Sequence, residues 1–153
     1  MRPARIARRT STLLALLVSL ALVAGSPAAE IALGAGQGTG RVKSLTNKER
    51  KDHGRKALKL NKRLSKYALR HSKHMANQGG LFHTSDLGKV LRHVNWRVAG
   101  ENVGAGGTLP AIQNAFMDSA PHRKNILNKK FDHSAVGVVQ DDGRFWVTVI
   151  FYG

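Results

Sequence analysis

Apolar and polar positions alternate along this chain in three distinct ways. Leu13 to Ala24 is a run of apolar and small residues whose one polar group is Ser19. From Thr46 onward the periodicity becomes helical. Thr46-Asn47-Lys48-Glu49 has the form of a capping box, which predicts a short helix ending at Gly54. The segment Arg55 to Leu60 reads as a connection. Asn61 is placed to cap a longer helix that stops near Gly79-Gly80. In that helix Leu64, Tyr67, Ala68, His71 and Met75 share one face, and Arg63, Lys66, Arg70 and Lys73 share another. A third helix is predicted from Thr108, with Pro110 in its first turn and Ile112, Ala115 and Phe116 pointing inward. A short helix over Arg123 to Leu127 follows.

The C-terminal end has a period of two. Ala135 to Gln140 and Arg144 to Tyr152 read as strands joined at Asp141-Asp142-Gly143, a hairpin signal. In the last strand Phe145, Val147, Val149 and Phe151 face one way, and Trp146, Thr148, Ile150 and Tyr152 the other. Both sets are mainly apolar, so both faces of the sheet need a cover. The fold class expected is α+β: a three-layer α-β-α sandwich with a small antiparallel sheet between helices.

The N-terminal run changes the picture of location. Arg2, Arg5, Arg8 and Arg9 precede it, and Ser26-Pro27-Ala28 follows with small residues. Residues 1–28 therefore have the layout of a cleaved secretory signal peptide. A membrane anchor is the alternative, and the run is short for one. Arg8-Arg9 leaves twin-arginine export open. Residues 29–43, with Gly34, Gly36, Gly38 and Gly40, are expected to be a flexible linker, and residues 44–153 a single folded domain.

Charge adds a class of partner. The 153 residues hold 25 Lys and Arg against 9 Asp and Glu, a formal charge of +16. Removing residues 1–28 takes away four arginines and no acid, which leaves +12. Such a field attracts anionic polymers and lipid surfaces by long-range steering. The basic side of the second helix is either a solvated face or the docking surface for such a partner. Export, and the lack of a recognition motif, count against a specific nucleic-acid partner. There is no cysteine, so an exported domain must rely on its core or on a metal. Oligomeric state has no signal in the sequence.

Three residues stand out as chemistry. His83 follows the glycine break after the long helix, Glu101 sits in the apolar stretch Val98-Ala99-Gly100-Glu101-Asn102-Val103, and His122 follows Ala120-Pro121. A carboxylate in such a stretch needs a partner. Two imidazoles and a carboxylate suit zinc or another divalent transition metal with open positions. The other reading is that Glu101 accepts backbone N–H bonds while His83 and His122 are surface or capping residues. His71, on the apolar face, reads as a hydrogen-bonded core histidine.

Several stretches in order resemble one family. They are Asn47-Lys48-Glu49-Arg50 with Leu58-Lys59-Leu60 and Leu64, then Ala68 to Ala76, Phe82-His83-Thr84-Ser85, Gly100-Glu101-Asn102-Val103, His122 to Asn128, and Val136-Gly137-Val138. Residues 44–153 are similar to the bacterial SCP-like extracellular domain of the CAP superfamily, which groups cysteine-rich secretory proteins, antigen 5 and pathogenesis-related 1 proteins. The resemblance implies an α-β-α sandwich and a cleft lined by two histidines and two acids, which in some members binds a divalent metal. His83, Glu101 and His122 match three of these. The second glutamate falls near Ser119, with Asp118 beside it, and Phe116 stands where a tryptophan is common. The resemblance implies an extracellular location and a cleft but no one reaction; with the +12 charge and the basic helix, the reading is a module that binds rather than turns over a substrate. Metal-assisted hydrolysis at weakly bound metal is the alternative, and nucleic-acid binding a weaker one.

Overall fold

The computed structural model describes residues 27–153, with side chains from residue 36 onward. The expected signal peptide lies almost wholly outside the described residues. In chain order the elements are α1 (Pro27–Asp52), β1 (Lys59–Leu60), α2 (Lys62–Gln78), α3 (Leu87–Leu91), β2 (Ala99–Gly106), α4 (Leu109–Asp118), α5 (Ala120–Ile126), β3 (His133–Asp141) and β4 (Arg144–Tyr152).

The strands form one sheet in the order β1-β3-β4-β2. β3 and β4 are antiparallel and joined through Asp142 and Gly143, both at positive φ, as a tight hairpin turn requires. β2 pairs antiparallel with β4 on the other side, Glu101 opposite Ile150. The sheet was expected to be antiparallel throughout, but the two-residue β1 runs parallel to β3. That pair is possible because α2, α3, β2, α4 and α5 all intervene in sequence before the chain returns.

Both faces are covered, as the strand pattern demands. On one, Val147, Val149 and Phe151 pack with Val42 of α1, Ile112 and Phe116 of α4 and Ile126 of α5. On the other, Ile150 and Tyr152 pack with Leu64 and Ala68 of α2 and Leu91 of α3, and Trp146 packs with Met75 and Ala76 of α2. The result is the three-layer sandwich.

α2 has the caps its sequence announces. Asn61 accepts from the Leu64 N–H, and Gly79 closes the helix in the left-handed conformation. Thr108 caps α4 in the same way as Asn61 caps α2.

Three local expectations fail. The stretch 29–43 is helical within α1 and is not a linker. Packing overrides the weak helix propensity of its glycines. Gly38 is buried, and a Cβ there would meet Val138 Cγ1 at 2.8 Å. Thr39 Oγ1 bonds to the Val136 carbonyl in the neighbouring strand. Thr46 therefore lies inside α1, where its hydroxyl donates to Gln113 Oε1 and caps nothing. Ala115 faces solvent, and Gln113 takes the inward position instead.

Candidate functional site

Glu101 enters the interior because it sits on the α2-facing side of β2, in register with Ile150. Its side chain is 5% exposed. The carboxylate is met by three donors from the segment after α2. The Thr84 N–H reaches Oε2 at 2.9 Å, the Thr84 hydroxyl reaches Oε1 at 2.6 Å, and His83 Nδ1 reaches Oε2 at 2.8 Å. His83 itself is 60% exposed. Its bond to a carboxylate fixes Nδ1 as the protonated nitrogen, so Nε2 is the basic position. A half-solvated imidazole held by a buried carboxylate is oriented for proton transfer or for hydrogen bonding to a ligand.

The backbone of the same strand is tied to α5. Asn125 Nδ2 donates to the Glu101 carbonyl at 3.2 Å and to Asn102 Oδ1 at 2.9 Å, and Asn102 Nδ2 donates to the His122 carbonyl at 3.1 Å. Gly100 permits this approach, since a Cβ there would lie 2.7 Å from Asn125 Oδ1. His122 is thereby placed at the start of α5. Its Nδ1 lies 2.9 Å from Ser119 Oγ, and its ring is 5.1 Å from that of Phe116. Burial, and then the charge of nearby His83, push its pKa below the ordinary histidine value.

The structure thus joins His83 to Glu101 directly. His122 is near enough to feel the charge of His83 but bonds to Ser119. Among the described residues no three His, Asp or Glu side chains are grouped to hold a divalent metal, and both oxygens of Glu101 accept hydrogen bonds. Ser119, near the place of the family's second glutamate, is spent on His122.

Arg63, Lys66, Arg70 and Lys73 are all exposed on α2. Arg63 and Arg70 face α3 across a groove, which Lys66 and Lys73 do not line. His71 is buried, with Nε2 2.9 Å from the Phe82 carbonyl, so it is a hydrogen-bonded core residue. Thr84 was not singled out in the sequence. Its signals are a hydroxyl beside His83 and a place in the stretch Phe82-His83-Thr84-Ser85. The cations of α3 were also missed, because a five-residue helix leaves no periodic pattern.

The chain belongs to the CAP, or cysteine-rich secretory protein, family, whose model matches residues 43–151. It is 37% identical over 114 residues to protein YkwD of Bacillus subtilis, an alignment covering 69% of this chain and 44% of YkwD. Its fold matches an extracellular SCP-domain protein of Bacillus anthracis with a TM-score of 0.71 at 28% identity, covering 83% of this chain and 43% of that one. It matches a cysteine-rich secretory protein of Staphylococcus aureus with a TM-score of 0.66 at 26% identity, covering 77% and 39%. The chain spans less than half the length of each of these relatives. Unlike the proteins that gave the family its name, it has no cysteine.

Proposed function

We propose that this CAP domain is exported and acts as a binding module for an anionic polymer or lipid surface of the cell envelope. The observation that carries this is α2. Its 17 residues include five Lys or Arg and no acid, and Arg63, Lys66, Arg70 and Lys73 are all solvent-exposed. The formal charge of +12 that remains without residues 1–28 extends that field over the domain. Export rests on the layout of residues 1–28 and on the extracellular relative in Bacillus anthracis. No helix among the described residues is long and apolar enough to cross a membrane. Attachment through exposed charge is screened over about 8 Å at physiological salt. Purified protein sedimented with isolated envelope material is expected to detach as salt rises, and Arg63→Glu with Arg70→Glu to weaken attachment further. Attachment indifferent to both changes refutes the electrostatic reading.

Hydrolysis is the second reading, favoured by the exposed imidazole of His83 on the buried carboxylate of Glu101. It has a candidate base but no assigned nucleophile. Nucleic-acid binding is disfavoured. Export and the lack of a recognition motif count against it.

A further inference from the structure

Two basic walls face each other across α2 and α3. Between them lies a cavity of about 400 Å³, lined from α2 by Arg63, Tyr67 and Arg70 and from the α3 side by Lys89 and Arg92. Asp86 is the one acid in the lining, and its Oδ1 is occupied by the Lys89 N–H at the start of α3. Four cations against one engaged carboxylate give the groove a single sign.

The cations are also held in place. Arg63 Nη2 donates to the His93 carbonyl at 3.2 Å, which bridges the two walls and leaves its other N–H groups free to bind. The Arg70 guanidinium lies 5.7 Å from the centre of the Tyr67 ring. Guanidinium groups fixed this way lose less freedom when an anion arrives.

We propose that this groove binds successive phosphodiester groups of an extended polymer. This rests on the binding role proposed above and gives it a site and a ligand class. Three features favour it. First, arginine forks match tetrahedral phosphate oxygens in pairs. Second, Arg63 and Arg70 are seven residues apart on one helix, about 10 Å along its axis, so one phosphate does not serve both but a chain of them does. Third, Leu81 is the only large apolar side chain exposed among the described residues, and it does not line the groove. Insertion into a lipid surface draws on a broad apolar face that is absent here. Thr84 lines the groove and also donates to Glu101, so a polymer in the groove passes beside His83.

The test uses synthetic poly(glycerol phosphate) as probe, with affinity measured by titration calorimetry over a range of salt. Two groove variants, Arg63→Gln with Arg70→Gln and Lys89→Gln with Arg92→Gln, are compared with Lys66→Gln plus Lys73→Gln. The control pair removes the same charge from α2 outside the groove. Each groove pair is expected to weaken binding about tenfold and to reduce the slope of log affinity against log salt by roughly two, while the control leaves the slope nearly intact. Unchanged thermal melting shows that a variant still folds, and the two groove pairs serve as independent checks. Equal losses from all three pairs overturn the groove in favour of diffuse charge. Polygalacturonate binding as tightly as the phosphate polymer overturns the phosphodiester assignment. Vesicles of phosphatidylglycerol that displace the polymer at equal phosphate overturn the polymer in favour of a membrane. Wild type that binds envelope material but not the polymer overturns the groove proposal alone, and wild type that binds neither overturns both.

Discussion

Thr84 presents both its backbone N–H and its hydroxyl to the carboxylate of Glu101, at 2.9 and 2.6 Å. The two residues are 17 apart in sequence, so this pair of bonds fastens the segment after α2 to strand β2 and aims His83 outward. Thr84→Val removes the hydroxyl and leaves Oε1 of a buried carboxylate without its donor. The expected loss is about 1–3 kcal/mol in denaturant unfolding. Thr84→Ser keeps the donor and should stay within about 1 kcal/mol of wild type. Equal stability of all three proteins would show that Glu101 does not depend on this contact.

Gly137 in β3 lets α2 lie directly on the sheet. A Cβ at that position would overlap the backbone of Ala68 and Leu69, which cannot swing aside as a side chain does. The same contact is closed by Ser72 Oγ, which lies 3.1 Å from the Gly137 carbonyl. Gly137→Ala should therefore cost at least about 3 kcal/mol. Gly40 on α1 is the contrast, because a Cβ there meets nothing within 4 Å. Gly40→Ala is expected to stabilise by about 0.5–1 kcal/mol, since alanine gives up less backbone freedom in a helix. Paired thermal melts decide both signs.

Arg50 is 1% exposed yet faces no carboxylate. Its guanidinium donates to the carbonyls of Lys56, Ile126, Asn128 and Phe131, at 2.7 to 3.0 Å. It thus ties α1 to the chain leaving α5. Burial, and then the charge of Arg55, lower its pKa below the ordinary arginine value. Arg50→Met orphans four carbonyls at once and is expected to cost about 3–5 kcal/mol. Arg50→Lys should recover little of this, because one ammonium cannot reach carbonyls spread from residue 56 to residue 131. Full recovery with lysine would show that charge, not the fork, holds the loop.

What the sequence revealed followed periodicity. The two faces of β4 were legible because eight residues alternate without a break, and each set met its own helix layer. α2 was legible from a cap, a stripe and a terminal glycine. α1 was not, because its glycines argue against a helix and the packing of Gly38 on Val138 is a tertiary fact. Even so, Val42, Thr46 and Arg50 are spaced by four and are all buried, a stripe visible once Thr46 is not taken for a cap. β1 and α3 are too short to leave a period. The meeting of His83 and Glu101 rested on family resemblance, since no local pattern links residues 18 apart. Of the three expected site residues, His83 and Glu101 meet directly, while His122 bonds to Ser119.

His122 gives the site its pH dependence. Its pKa is lowered first by burial against the α4–α5 corner and second by the charge of His83. The unfolded chain has the ordinary histidine value of about 6.5. Between that value and the lower folded one, the unfolded state binds more protons, so stability rises with pH. This contribution is complete above about pH 6.5 and is lost as pH falls through the folded pKa. Histidine titration by NMR should place the His122 midpoint below that of the denatured chain. His83→Asn removes the second cause and should raise the midpoint only part of the way, because burial against Phe116 remains. Protonation of His122 also changes its bond to Ser119, since both ring nitrogens then donate and the Ser119 hydroxyl must accept. The serine can turn to do so, so acid should weaken this corner without unfolding it outright. A His122 midpoint equal to the denatured value in wild type would remove both the burial and the His83 proximity from the account of the site.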